Sequence, residues 1–250
     1  ERKPGVYAFP HRSFQEFLAA CALTEGGDLA CALRQRLEAQ PSWWAEVFLL
    51  AIGKVSLGGR GQAVATLKAV LPDETDPASD TYHSIVLLVA QAIVELGAAA
   101  LGTGSSIEDD LVKTLSMRLI RLIDGEGLRA RDRLNAGDVL GRLGDPREGV
   151  GLSKADPGLP EIDWVEVHAG SFKMGADPSD RQAEEWERPL HQVETPRFLI
   201  SRFPVTNAQF APFVSDGYAR DECWTAEGLA WRDGAEPDLS VLSREHRENW

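Results

Sequence analysis

Trp164-Val165-Glu166-Val167-His168-Ala169-Gly170-Ser171-Phe172-Lys173-Met174 is where the apolar rhythm of this chain changes. Trp164 to His168 is extended in character, Ala169-Gly170 is a turn, and Ser171 to Met174 can return as a second strand. Arg197-Phe198-Leu199-Ile200-Ser201 reads as another short strand, with Pro204 stopping it. Thr206-Asn207-Ala208-Gln209 is then a capping box, with Val205 and Phe210 placed as a hydrophobic staple. The helix it opens runs through Phe210 and Phe213 to Gly217. From residue 163 onward the chain is therefore α+β with many loops.

Upstream of that stretch the period is helical. Ser13-Phe14-Gln15-Glu16 reads as a capping box, followed by Phe14, Phe17, Leu18 and Cys21 on one apolar stripe. Asp28 caps a helix carrying Leu29, Leu33 and Leu37, and Ser42 one carrying Trp43, Val47, Leu50 and Ala51. From Ser84, the residues Ile85, Leu88, Val89, Ala92, Ile93 and Leu96 form a wide stripe that ends at Gly97. Leu111, Leu115, Leu119 and Leu122 mark a further helix. Leu134, Val139, Leu140 and Leu143 mark the next, stopped by Gly144-Asp145-Pro146. Gly53, Gly97 and Gly144 each follow an apolar helical run, at intervals of 44 and 47 residues. Such a period suits helix-pair repeats of the HEAT type, and equally a coincidence of helix length with glycine caps.

Between these regions, Gly144, Pro146, Gly149, Gly151, Pro157, Gly158 and Pro160 give the composition of a linker or domain entry. Of 250 residues, 39 are acidic and 26 basic, a formal net charge of −13. Residues 151–250 carry −9 of it, from 19 acidic and 10 basic residues. That balance argues against nucleic acid or an anionic membrane as a direct partner, because phosphate binding needs clustered Lys and Arg. The apolar run Ile85 to Ala90 is far short of the roughly 18 residues of a membrane span, and no other run approaches that length. Three cysteines, Cys21, Cys31 and Cys223, suit a reduced, cytoplasmic protein without a disulfide framework. The chain starts at Glu1 in mid-pattern, without a signal peptide, and stops at Trp250 without a closing helix; it reads as a piece of something longer.

No nucleotide motif of the form G-x-x-x-x-G-K-S/T occurs. Gly58-Gly59-Arg60-Gly61 and Gly102-Thr103-Gly104 follow no strand and read as helix connections. No H-E-x-x-H, Cys-x-x-Cys or G-x-S-x-G is present. Cys21 and Cys31 read as core residues on apolar helix faces, and Cys223 beside Trp224 as packing. His168, His191 and His246 lie 23 and 55 residues apart, which is no ligand signature. Glu184, Glu185, Glu187 and Glu194 offer oxygens for calcium, or a solvated acidic loop. Trp224, Trp231 and Trp250 suit core packing or a ligand surface. No catalytic, cofactor-binding or metal-ligating residue is assigned within the chain.

Four motifs in order carry a resemblance. They are the run Trp164 to Gly175, then Glu187-Arg188-Pro189-Leu190-His191-Gln192-Val193, then Phe198 to Phe210, then Trp224-Thr225-Ala226-Glu227-Gly228-Leu229-Ala230-Trp231-Arg232. Together they resemble the N-terminal part of the formylglycine-generating enzyme family, the sulfatase-modifying factor domains. The resemblance implies a C-type-lectin-like α+β fold, with the Met174-Gly175 turn, the Pro189/His191 segment and the Thr206-Asn207 cap as scaffold. The family's oxidases bind copper through a cysteine pair in the C-terminal part of the domain, which this chain does not reach. Cys223 sits in no such motif. Other relatives bind ligands without the oxidase residues, and ergothioneine-pathway iron enzymes carry their histidine ligands in another domain.

At the other end, Tyr7-Ala8-Phe9-Pro10-His11-Arg12-Ser13-Phe14-Gln15-Glu16-Phe17-Leu18-Ala19-Ala20 resembles the F-x-H-x-S-F-Q-E-F/Y-L-A-A run that closes a NACHT-type signalling NTPase module. Its Walker motifs and nucleotide would lie upstream. The expected organisation is mixed: 1–27 the end of a NACHT and winged-helix module, 28–150 an all-α, HEAT-like arm, 151–162 a linker, and 163–250 a formylglycine-generating-enzyme-like domain incomplete at its C-terminus. The expected role is a non-catalytic arm with a ligand-sensing domain in bacterial defence or signalling. Its partners would be the upstream NACHT module and an unknown ligand or protein. Calcium or copper would belong to the complete C-terminal domain. A copper oxidase acting on a protein cysteine is the alternative, and a structural helical interaction module a second one.

Overall fold

The computed structural model describes residues 9, 11–74, 76–97 and 106–234. The chain divides into two compact units, Glu1–Asp145 and Pro146–Trp250. Helices dominate the first: α1 (Arg12–Thr24), α2 (Leu29–Ala39), α3 (Pro41–Gly58), α4 (Arg60–Val70), α5 (Asp80–Glu95), α6 (Ser106–Asp124) and α7 (Ala130–Leu143). They stack in two rows. In one row α1 packs on α3, α3 on α5 and α5 on α7; in the other α2 packs on α4 and α4 on α6. Each helix also packs on its neighbour in sequence, the arrangement of stacked helix pairs. The core runs between the rows. Leu33 and Leu37 of α2, Phe48 and Ile52 of α3, Leu67 of α4, Ile85 and Ile93 of α5, and Leu111, Leu115 and Leu119 of α6 are all but fully buried. Each such side chain contributes about 1.5–3 kcal/mol relative to exposure. α5 packs against helices of both rows and is buried around most of its circumference, down to the polar His83.

Several helix ends follow their sequence signals. The Asp28 carboxylate accepts from Cys31 N at 3.0 Å. Gly97 takes φ 70°, a left-handed conformation that costs a β-carbon nothing only at glycine, and its N–H donates to Val94 O at 2.9 Å. Other ends differ. His11, not Ser13, caps α1: its ring accepts from Ser13 N, while Glu16 pairs with Arg12 at 2.7 Å and so does not close a box. α3 starts at Pro41, which needs no N–H partner there, with Ser42 already in the first turn. α5 starts at Asp80, capped by Ser79. Gly53 lies inside α3 and ends nothing, so the glycine period reduces to Gly97 and Gly144. Leu134 faces outward, 73% exposed. Phe14, Phe17 and Leu18 also stay half exposed, and α1 buries Ala20 instead.

The second unit contains β1 (Trp164–Val167), β2 (Gly170–Met174), β3 (His191–Thr195), β4 (Phe198–Ser201), α8 (Asn207–Ser215) and α9 (Ala226–Arg232). β1 and β2 do not form a hairpin with each other. β2 pairs antiparallel with β3, Gly170 opposite Thr195, and β1 with β4, Val167 opposite Phe198. One register runs through both pairs, so they form a single two-stranded ribbon interrupted at His168-Ala169 and Pro196-Arg197. Pro196 has no N–H to give the ladder at that point. Glu166 braces the interruption, pairing with Arg197 at 2.9 Å and His168 at 3.2 Å.

Candidate functional site

The loop joining β2 to β3 is built from the motif residues. Gly175 has φ 98°, and a Cβ there would lie 2.5 Å from Pro189 O, so only glycine fits. Ala176 N donates to Glu187 O at 2.7 Å, drawing the two ends of the loop together. The Arg188 guanidinium donates to Pro178 O at 3.2 Å and Asp180 O at 2.5 Å. Asp177 accepts from the Ser179 hydroxyl at 2.6 Å and Ser179 N at 2.8 Å, and these bonds hold its carboxyl below the usual carboxylate range. Glu184 caps a single 3₁₀ turn, Glu185–Glu187, and its N–H donates to Glu187 Oε2 at 2.9 Å. Glu194 stands apart on β3, opposite Ser171. Glu184 and Glu187 thus serve one local turn, Glu194 lies on a strand, and the four glutamates offered for calcium do not converge.

A second cluster joins α8 to the segment before β1. Thr206 and Gln209 form the expected capping box. Val205 and Phe210, placed as its staple, remain more than half exposed. Buried Gln209 also donates through Nε2 to Gly149 O at 3.0 Å and Glu161 O at 2.5 Å, and the Thr206 hydroxyl donates to Val150 O at 2.8 Å. Residues 151–162, read as a linker from composition, are thereby hydrogen-bonded into this unit. A Leu152–Pro160 bridge closes them on themselves. Sequence reading found the cap and missed that its glutamine reaches two distant carbonyls. A glutamine has donors to spare after capping, and that surplus was the available signal.

Downstream, Phe213, Tyr218, Trp224 and Trp231 form an aromatic cluster with ring centroids 5.1–6.2 Å apart. Trp224 Nε1 donates to Tyr218 O at 3.0 Å, and the Arg232 guanidinium lies over the Trp224 ring. Trp250 lies outside the described residues. This is packing around α8 and α9 with one rim open, since Trp231 is half exposed.

The histidines do not assemble. His168 pairs with Glu166, His191 Nδ1 bonds Pro189 O at 2.8 Å, and His246 lies outside the described residues. Cys21 is half-buried and Cys31 is exposed, which corrects their reading as core residues; Cys223 is exposed too. Among the described residues no group of three or more His, Cys, Asp or Glu side chains comes together to hold a metal ion. The described residues thus assemble no copper or calcium site. No described helix is long and apolar enough to cross a membrane.

In the helical unit, the row α1, α3, α5, α7 carries three concavities. One, of about 390 Å³, lies at the N-terminal ends of α3, α5 and α7 and is lined by Ser42, Asp80, His83, Leu87, Arg129 and Asp132. A second, about 550 Å³, is lined by Phe17, Glu46, Leu50, Lys54, Leu57 and Glu95. A third, about 90 Å³, lies between Glu16, Trp43 and Trp44. His83 is buried at the first, with Nε2 held 2.9 Å from Pro77 O.

Comparison with known proteins places the second unit. Residues 150–247 match the sulfatase-modifying factor enzyme 1-like domain family. The hercynine oxygenase of Mycolicibacterium thermoresistibile is 40% identical over 95 residues, 36% of this chain and 21% of that protein. The formylglycine-generating enzyme of Thermomonospora curvata is 40% identical over 68 residues, 27% of this chain and 21% of that protein. The inactive C-alpha-formylglycine-generating enzyme 2 of Bos taurus is 36% identical over 70 residues, 28% of this chain and 22% of that protein. The chain spans only 21% or 22% of the length of these curated relatives. No solved structure matches it.

Proposed function

We propose that the chain is a regulatory segment of a NACHT-type signalling NTPase, a HEAT-like helical arm followed by the start of a ligand-reading domain of formylglycine-generating-enzyme type. The observation that carries this reading is the joining, in one chain, of a stacked helical unit with its own core to a segment matching that family. The run Phe9 to Ala20 supports an upstream nucleotide-binding module, of which α1 would be the closing helix. Ligand bound at the C-terminal domain would shift a nucleotide-dependent equilibrium, which requires different affinity for its two states. The setting would be the cytoplasm of a bacterium, in defence or signalling, with no direct nucleic-acid or membrane partner. The test is ATP and GTP hydrolysis by the intact protein and by a form ending before residue 163, with and without candidate ligands. A ligand-dependent change of about fivefold or more, lost in the shorter form, is expected. Identical rates throughout would sink the reading.

A second reading is favoured by the active relatives: an oxidase or oxygenase of this family, with copper or iron chemistry housed elsewhere in the complete protein. Identity does not choose, because the inactive bovine relative is nearly as similar as the active ones. Mass spectrometry of cysteine peptides, and of hercynine, after incubation with the complete protein, metal and O₂ decides it. Oxidised product establishes this second reading; unchanged substrate under all conditions removes it.

A further inference from the structure

We propose that the row α1, α3, α5, α7 is a docking trough for a basic peptide segment with apolar anchors. The 390 Å³ and 550 Å³ concavities share Gln91, and the third adjoins the second where Glu16 meets Phe17, so the three form one path across the row. Stacked helix pairs present such extended faces to partners. The floor is apolar: Phe17, Leu49, Leu50 and Leu57 in one part, Leu87 and Leu88 in the other. Leu57 is 89% exposed on this face, a cost that a partner's apolar side chain would remove.

Charge fixes the partner's chemistry. Arg12 is paired with Glu16, and Lys54 with Glu25 at 3.6 Å. Glu46, Asp80 and Asp132 form no ion pair among the described residues, and Glu95 has only the neutral Gln91 amide, at 2.8 Å. Against these four carboxylates stands one unpaired cation among the described lining residues, Arg129. Asp80 and Asp132 line the same concavity from α5 and α7, so a lysine or arginine side chain entering it meets two carboxylates. Apolar anchors in the floor and basic groups at Asp80/Asp132 and Glu46/Glu95 describe one kind of segment, alternately basic and apolar.

The probe is a labelled synthetic peptide of lysine and leucine at helical spacing, with a glutamate-for-lysine counterpart, titrated by fluorescence anisotropy into the 250-residue chain. The variant Glu46→Gln, Asp80→Asn, Asp132→Asn removes three of the four carboxylate charges. The control Asp110→Asn, Asp124→Asn, Asp138→Asn removes the same charge from elsewhere on the unit. The lysine peptide should bind about tenfold more weakly to the first and unchanged to the second. Leu57→Ser, at a solvent-facing position, should weaken binding with the fold intact, and it decides the matter if the triple variant fails to fold. Equal loss in both triple variants, equal binding of the two peptides, no binding, or unaltered binding by Leu57→Ser would each overturn the proposal.

Discussion

Arg60 ties three pieces of chain with one side chain. Its guanidinium grips buried Glu108 of α6 at 2.5 and 3.2 Å and donates to Leu96 O at 2.5 Å and Gly97 O at 2.8 Å, at the end of α5. The hydrogen bond to Glu108 raises the Arg60 pKa, as a charge-assisted fork should. Arg60 is 39% exposed, so the pair is worth less than a fully buried one. Arg60→Ala should lower stability by about 2 kcal/mol, and Arg60→Lys should recover only part of it, because an ammonium cannot make the fork. Urea denaturation of the variants gives both numbers; full recovery by lysine would show that charge alone matters. At Gly175 the expectation is steric. Gly175→Ala should open the 175–190 loop, read as faster tryptic cleavage at Arg181, because the added Cβ would lie 2.5 Å from Pro189 O.

Elements in this chain form where a local signal and a tertiary partner agree. Asp28→Ala should cost about 1 kcal/mol, since it removes a cap that α2 has no other side chain to replace. Gln209→Ala should cost about 1–3 kcal/mol in the second unit, leaving Gly149 O and Glu161 O without their donor. Thermal melts monitored by near-ultraviolet circular dichroism can check both. The α2 and α8 caps were legible because aspartate and the Thr-x-x-Gln box act within one turn. The same logic misplaced the start of α1, because a histidine ring two residues earlier reached Ser13 N and Arg12 claimed Glu16. The ribbon was half legible. Three of its four strands could be read, but partner choice is set over some thirty residues of intervening chain, which period-two patterning does not encode. Of β3, only His191 to Val193 was visible, as part of a motif of the family resemblance.

At the scale of the molecule the two units differ in how much they bury. The helical unit holds nearly the whole apolar core, while Val150 is the one buried apolar side chain among the described residues of the second. Trp164, Leu199 and Ile200 of its ribbon are each more than half exposed. A two-stranded ribbon without a third strand or a helix on its face is marginal in water. The candidate site was illegible because the matched motifs are turns, caps and packing residues, whose pattern records scaffold. Stability should therefore be uneven along the 250-residue chain. Hydrogen exchange should be slowest in α5, which packs against helices of both rows, and faster by orders of magnitude in β1 and β4. Protection of β1 and β4 equal to that of α5 in the 250-residue chain would mean that the ribbon is stabilised by contacts other than those described.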